Sequence, residues 1–190
     1  LQAQGAECHF ISRTHPGHLL ELIRHRGFSL TALPVELQMP SGKNQVPSER
    51  FTELAHASWL GCDWQTDAEQ TRVVLDNLQP EWLVVDHYAL DQRWESALRQ
   101  CVRKLIVIDD LADRAHQCDL LLDQNLGRQI QDYANLVPAH CKVLVGPQYA
   151  LLGPKFAALR AYSLQRRQNP VLKKVRITIS GVDQSNTTGQ

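Results

Sequence analysis

The sequence predicts an α/β protein whose parallel sheet carries helices on both faces. Two observations support this fold class. Short apolar runs recur along the chain, and segments with a helical spacing of apolar residues separate them. Such alternation is typical of strand–helix–strand units with buried parallel strands. The composition agrees, because 43% hydrophobic and 21% charged residues among 190 are an ordinary globular balance.

The front half of the chain predicts two strands separated and followed by helices. Gly5 and Gly27 stand where helices should end, since glycine readily adopts the left-handed C-cap conformation. Leu19, Leu22 and Ile23 would form the buried face of the helix between the strands. The predicted elements are a helix end at 1–5, a strand at 8–12, a helix at 18–27, a strand at 28–33, a loop at 39–49, a helix near 51–59, and a helix at 66–77 behind the capping box Thr66-Asp67-Ala68-Glu69.

The back half predicts four strands in quick succession. Residues 82–85 are four consecutive apolar residues, which predicts a strand buried on both faces. Asp91 suits the N-cap of the helix that follows. The other three strands are predicted within "KLIVIDD", "CDLLLDQN" and "CKVLVGP".

A change of composition after residue 153 predicts a domain boundary. Residues 154–174 are basic and contain Pro154 and Pro170, and they precede the strand-like "VRITIS". We therefore expect a first domain at 1–153, an interdomain linker at 154–174, and the first strand and loop of a second domain at 175–190. The alternative is a C-terminal helix packed on a single domain, followed by an edge strand. We also expect a strand and helix before Leu1.

Charge and cysteine usage exclude several classes of function. Acidic and basic residues balance at 20 each, which disfavours a general nucleic-acid or membrane-surface binder. Five cysteines are scattered without zinc-site spacing, as in a reducing cytoplasm. We expect a cytoplasmic monomer that uses no metal or cofactor.

Polar residues follow each of the four back-half strands. Because the carboxyl ends of parallel strands meet at one edge of a sheet, these residues should form a shared rim. The rim is rich in acceptors, amides and phenols and poor in Lys and Arg, so it suits a neutral polar ligand such as a sugar. Its members are Asp86-His87-Tyr88, Asp109-Asp110, Asp123-Gln124-Asn125 and Gly146-Pro147-Gln148-Tyr149.

Three rim residues, Asp86, His87 and Tyr88, also have a purely structural explanation. Asp86 could bond to loop amides, His87 could be a packed or solvated ring, and Tyr88 could be a wall residue with a solvated hydroxyl. A metal set at Asp109, Asp110, Asp113 and His116 is disfavoured, because alternate strand residues point to opposite faces.

Four stretches together resemble a known family: "WLVVDHYALDQRWE", "VIDDLADRAHQCDLLLDQN", "VLVGPQYALLGPKF" and "ITISGVDQSNTTG". They are similar to the UDP-2,4-diacetamido-2,4,6-trideoxy-β-L-altropyranose hydrolases of pseudaminic acid biosynthesis. The resemblance implies a two-domain GT-B fold with a Rossmann-like N-terminal domain beside the sugar and a C-terminal domain that holds UDP. It also implies metal-independent attack of water on the anomeric carbon, with inversion.

The resemblance assigns site residues as well. Tyr88 matches a family tyrosine near the reacting water, and Gly181 matches a glycine-rich turn that faces the diphosphate. The family base is a histidine in a Gly-x-Gly-His loop, which would precede Leu1, so we expect residues 1–190 alone to be inactive. Ser180 and Gln184 depart from the family pattern. Asp86, His87, Gln124 and Asn125 are then the predicted substrate-binding residues, and a UDP-sugar is the predicted partner.

Two other functions fit the same pattern. A glycosyltransferase of the same fold would use a sugar hydroxyl in place of water. A non-catalytic sugar-binding module would bind and perform no chemistry.

Overall fold

The computed structural model describes residues 1–35, 54–169, 171 and 175, and shows parallel sheets flanked by helices, consistent with a Rossmann-like fold. The predicted α/β fold class is confirmed. The elements are β1 (His9–Arg13), α1 (Leu20–His25), β2 (Ser29–Leu33), α2 (Trp64–Leu78), β3 (Trp82–Val85), α3 (Gln92–Leu98), β4 (Lys104–Ile108), β5 (Leu120–Asp123), β6 (Lys142–Val145) and α4 (Pro154–Arg166).

The strands form two parallel sheets. The larger has the order β3-β4-β5-β6, and the smaller pairs β1 with β2. Parallel register brings the carboxyl ends of the four larger-sheet strands to one edge, where Asp123 pairs with Val145. All four predicted strands of the back half are confirmed, together with the common edge on which the rim depends.

The hydrophobic core packs the central strands against α2 and α3. Leu105, Leu121 and Leu98 are completely buried, and Trp94 is nearly so. Burial of each such side chain contributes about 1.5–3 kcal/mol relative to exposure. Strand β3 differs, because Trp82 and Val84 are exposed. The prediction of a strand buried on both faces is wrong here, since β3 is the outer strand of the sheet in the described part of the chain.

The starts of α2 and α3 follow local capping chemistry. Helix α2 begins at Trp64, two residues before the predicted Thr66, because the Asp63 carboxylate accepts the Thr66 backbone N–H at 2.8 Å. Asp91 caps α3 as predicted, accepting from the Arg93 N–H. The helix predicted near 51–59 is, in its described part, a 3-10 turn at Ala57–Leu60.

The predicted apolar face of the first helix is found only in part, because Ile23 is half-buried. Leu20 is buried, while Leu19 and Leu22 are exposed. Helix α1 has only six residues, so its contact with β2 decides which leucine is covered rather than its own periodicity.

A buried ion pair joins the end of β1 to the helices. Arg13 Nη2 donates to Asp67 Oδ2 at 2.5 Å, and Trp94 Nε1 donates to Asp67 Oδ1 at 2.8 Å. Both carboxylate oxygens are satisfied, as a buried charge requires. The sequence pattern predicts Asp67 as part of a capping box. In the structure its carboxylate instead links α2 to β1 through Arg13 and to α3 through Trp94.

Contacts divide the chain into two compact units, Leu1–Ala150 and Leu151–Gln190. In the second unit α4 covers most of the predicted linker, begins at Pro154, and has no buried side chain. The linker role and the second domain stay predictions, and Gly181, Ser180 and Gln184 lie outside the described residues. No described helix combines the length and apolarity needed to cross a membrane.

Candidate functional site

The strand-end rim brings distant residues onto one aspartate. Tyr88, after β3, donates its hydroxyl to Asp110 Oδ2 at 3.0 Å. Asn125, after β5, donates its side-chain N–H to the Asp110 carbonyl at 3.2 Å. Tyr88 and Asn125 are 37 positions apart in sequence, yet both donate a hydrogen bond to Asp110, which lies two residues after the end of β4. The predicted convergence is therefore present, while the ligand-binding roles of these residues stay predictions.

The outer layer of the rim, defined as Asp86, Tyr88 and Asp110, keeps unused acceptor capacity. Asp86 is exposed, and Asp110 Oδ1 is buried without a hydrogen-bond partner among the described residues. Desolvation and the Asp110 charge raise the pKa of Asp86. The hydrogen bond to Asp110, followed by desolvation, raises the pKa of Tyr88. The Tyr88 phenol is thus held neutral and oriented, with carboxylate acceptors beside it.

His87 is set up as a hydrogen-bond donor. Its Nδ1 accepts the Ala89 backbone N–H at 3.0 Å, so the neutral ring carries its proton on Nε2. Burial lowers the pKa of His87, and it outweighs the opposing charge of Asp67. A neutral ring with this tautomer can donate from Nε2 to a ligand oxygen and has no free lone pair for base catalysis.

The inner layer of the rim, defined as Asp109, Asp123, Tyr133, Arg114 and Arg128, pairs its acids with its own tyrosine and arginines, although Asp109 Oδ1 has no hydrogen bond among the described residues. Asp109 and Asp123 are 2% and 0% exposed, and the Tyr133 hydroxyl lies 2.9 Å from an oxygen of each. Arg128 Nε donates to Asp123 at 2.6 Å. Arg114 Nη1 lies 2.8 Å from Asp109 Oδ1, an ion pair outside hydrogen-bond angles.

Inner-layer electrostatics favour ionised Asp109 and neutral Tyr133. Burial raises the pKa of Asp109, but the Ala112 N–H, the Arg114 charge and the Tyr133 hydroxyl outweigh burial and lower it overall. Burial and the Asp109 charge raise the pKa of Tyr133. These carboxylates are committed to the protein and do not face a ligand.

The side chains of Asp109, Asp110, Asp113 and His116 do not come together as a set of metal ligands. Asp109 belongs to the inner layer, and His116 Nδ1 lies 2.7 Å from Glu95 Oε1 in the core. Among residues 1–35 and 54–169, no three His, Cys, Asp or Glu side chains group as metal ligands.

The predicted residues Gln124 and Asn125 lie at the β5 end of the rim. Gln124 is half-buried and Asn125 exposed, and the Asn125 backbone N–H donates to Asp123 Oδ1 at 2.9 Å. A shallow depression adjoins them, lined by Asn125, Leu126, Gly127, Arg128 and Asp132.

Sequence reasoning missed several contributors to this site. Asp110 was placed on the rim but not among the ligand contacts, although the Asp-Asp pair after a strand was a visible signal. No local pattern identifies Arg128 and Tyr133 as site residues. They follow β5 by several residues, and only the folded loop brings their side chains back to Asp123. His56 and Trp59 precede the rim by a whole helix and strand, and their rings lie 5.4 and 5.8 Å from that of Tyr88.

Comparison with known proteins found partial likenesses. No family model matches the chain. The chain is 35% identical over 77 residues to the UDP-2,4-diacetamido-2,4,6-trideoxy-β-L-altropyranose hydrolase of Campylobacter jejuni, a match that covers 40% of this chain and 28% of that protein. It is 23% identical over 117 residues to an uncharacterised protein of Methanocaldococcus jannaschii, covering 60% and 24%. Each match spans about a quarter of the relative's length. The likeness relates the chain to a UDP-sugar hydrolase.

Proposed function

We propose that the protein hydrolyses UDP-2,4-diacetamido-2,4,6-trideoxy-β-L-altropyranose. Water attacks the anomeric carbon, the bond from that carbon to the diphosphate oxygen breaks, and UDP leaves as the water loses a proton. The observation that carries the proposal is the Tyr88–Asp110 pair at the carboxyl edge of a parallel sheet, in a chain with partial likeness to a hydrolase of this substrate.

The described rim suits the sugar better than the diphosphate. Its two guanidiniums, Arg114 and Arg128, are paired with the inner-layer aspartates. The outer layer offers carboxylates and a phenol, and the neighbouring His87 offers its Nε2–H; these groups match the hydroxyl and acetamido groups of a sugar. We assign Tyr88 to the reacting water, and Asp86, His87, Gln124 and Asn125 to sugar contacts. Diphosphate contact is assigned to the segment that includes Gly181.

Product analysis tests this function. The complete gene product is incubated with the UDP-sugar, UDP is quantified by chromatography, and the free sugar is identified by mass spectrometry. Equal amounts of UDP and free sugar are expected, with inverted anomeric configuration by NMR. A new glycosidic bond would show a transferase instead. Saturable binding without either product would show a binding module.

A further inference from the structure

Three aromatic side chains, here called the aromatic trio, stand beside the outer layer: His56, Trp59 and Tyr88. The ring centroids lie 4.5 Å apart for His56–Trp59, 5.4 Å for His56–Tyr88 and 5.8 Å for Trp59–Tyr88. The distances are those of direct ring contacts, with tilted or edge-on geometry. Each ring therefore restrains the other two.

Trp59 is oriented without being covered. Its side chain is 55% exposed, whereas Leu60 and Cys62 beside it are buried. The 3-10 turn that carries Trp59 ends at Gly61 with φ +77°, a left-handed conformation that favours glycine. The buried neighbours fix the turn, so the indole is held at the surface by the fold around it. A large, fixed and exposed aromatic ring is a common feature of binding surfaces.

The trio adjoins polar groups of one kind. Tyr88 belongs to both the trio and the outer layer, and its hydroxyl reaches Asp110. The exposed Asp86 is an acceptor next to this aromatic surface, and the half-buried Asp110 orients the Tyr88 hydroxyl through its carboxylate. A pyranose ring has the complementary chemistry, since one face presents C–H groups while its hydroxyl and amide N–H groups donate hydrogen bonds.

We propose that the aromatic trio is the platform for the acetamido-substituted pyranose ring, with Trp59 packed against the C–H face of the sugar. Asp86 accepts hydrogen bonds from the hydroxyl or acetamido N–H groups at the edge of the ring, and Asp110 orients the Tyr88 hydroxyl beside it. The assignment rests on the proposed function for the identity of the sugar. It adds Trp59, His56 and Asp110 to the residues that select the substrate.

The test measures binding of the free sugar to the complete gene product by calorimetry, comparing Trp59→Ala with Trp82→Ala. Trp82 is a matched control, because it is 53% exposed and lies at the opposite end of β3. Loss of the aromatic contact should weaken binding about 3- to 10-fold in Trp59→Ala, with no change in Trp82→Ala. Trp59→Phe keeps a ring and should recover part of the affinity.

A parallel titration with UDP separates the sugar from the nucleotide as the ligand of the trio. Weaker sugar binding with unchanged UDP binding in Trp59→Ala supports the platform. Equal sugar affinities for Trp59→Ala and Trp82→Ala overturn it, as does an effect on UDP alone. If the complete gene product releases UDP while Trp59→Ala leaves its KM unchanged, the platform fails and the hydrolase survives. If sugar binding needs Trp59 but no UDP is released, the hydrolase fails and the platform survives.

Discussion

Asp109 and Asp110 are neighbours in sequence but belong to opposite layers of the rim. Asp109 is buried among Arg114, Tyr133 and the Ala112 N–H. Asp110 turns to Tyr88. Each acid keeps one oxygen without a hydrogen-bond partner among the described residues, but that oxygen of Asp109 lies 2.8 Å from the Arg114 guanidinium, whereas the Asp110 carboxylate has no ion pair in the described part of the chain. Two adjacent acids after one strand therefore have different environments, because successive side chains point to opposite sides. Inner acids should control stability, and outer acids should control substrate chemistry.

The largest expected effect is on the inner layer. Asp109→Ala leaves the buried Arg114 guanidinium without its main partner, and breaking such a pair costs about 3–5 kcal/mol of unfolding free energy. Urea denaturation measures this loss. Asp113→Ala is the matched control, because it removes the exposed partner of the same arginine and should cost about 1 kcal/mol or less. Equal losses would remove the distinction between the layers.

Tyr88→Phe should act in the opposite way. It removes the oriented phenol of the outer layer, and we expect turnover of the complete gene product to fall on the order of 100-fold, with about 1 kcal/mol or less lost in stability. Initial rates of UDP release and a urea melt are measured on the same preparation. Tyr162→Phe, at an exposed position on α4 outside the rim, is the control and should keep full activity. Unchanged turnover in Tyr88→Phe would show that this tyrosine has no role in the reaction.

Tyr133→Phe should lower stability and leave substrate binding unchanged, in contrast to Tyr88→Phe. The Tyr133 hydroxyl lies between Asp109 and Asp123, so its removal leaves buried carboxylates short of a donor and should cost about 1–3 kcal/mol. KM for the sugar nucleotide should stay the same. Tyr162→Phe, at an exposed position on α4, should change the unfolding midpoint by little. A change in KM without a loss of stability would show that Tyr133 acts on the substrate, as the outer layer does, and not on the stability of the fold.

The smallest expected effect is a pH dependence from His87. Because the pKa of His87 is lowered on folding, the unfolded chain binds the proton more readily. Stability is therefore present above the unfolded pKa of about 6.5 and falls as pH drops from there toward the folded pKa. Arg13, Arg114 and His15 strengthen the shift, and Asp67 opposes it.

His87→Gln should flatten this slope in urea midpoints measured between pH 5 and 7.5. The exposed His140→Gln is the control and should leave the slope as it is. If His87→Gln and His140→Gln give the same pH profile, another group is responsible for the acid sensitivity.

Much of the fold was predictable because local signals agreed with the tertiary structure. Strand β3 is found at the predicted residues, and Asp91 caps α3 as its position suggested. The errors occurred where contacts outweighed local patterns. Asp67 pairs with Arg13 across 54 positions, and α1 buries Leu20 in place of the predicted leucines.

The sequence predicted which edge of the sheet carries the candidate site. It did not predict which contacts each residue of the site makes. The sequence placed Tyr88, Asp110 and Asn125 at one edge because parallel strands end together, but it could not show that Asp110 accepts a hydrogen bond from each of the other two. Cys118 and Cys141 make the same point, since they are 23 positions apart and their Sγ atoms lie 3.5 Å from each other.

The sequence by itself determined the α/β class, the four strands of the larger sheet and the collection of polar residues at its carboxyl edge, because periodicity and turn chemistry are local properties. Tertiary structure alone decided which acids are buried with arginine and tyrosine and which remain open beside the aromatic trio. The physical reason is that burial and hydrogen bonding depend on partners far away in sequence, and no local pattern records which partner a folded side chain will meet.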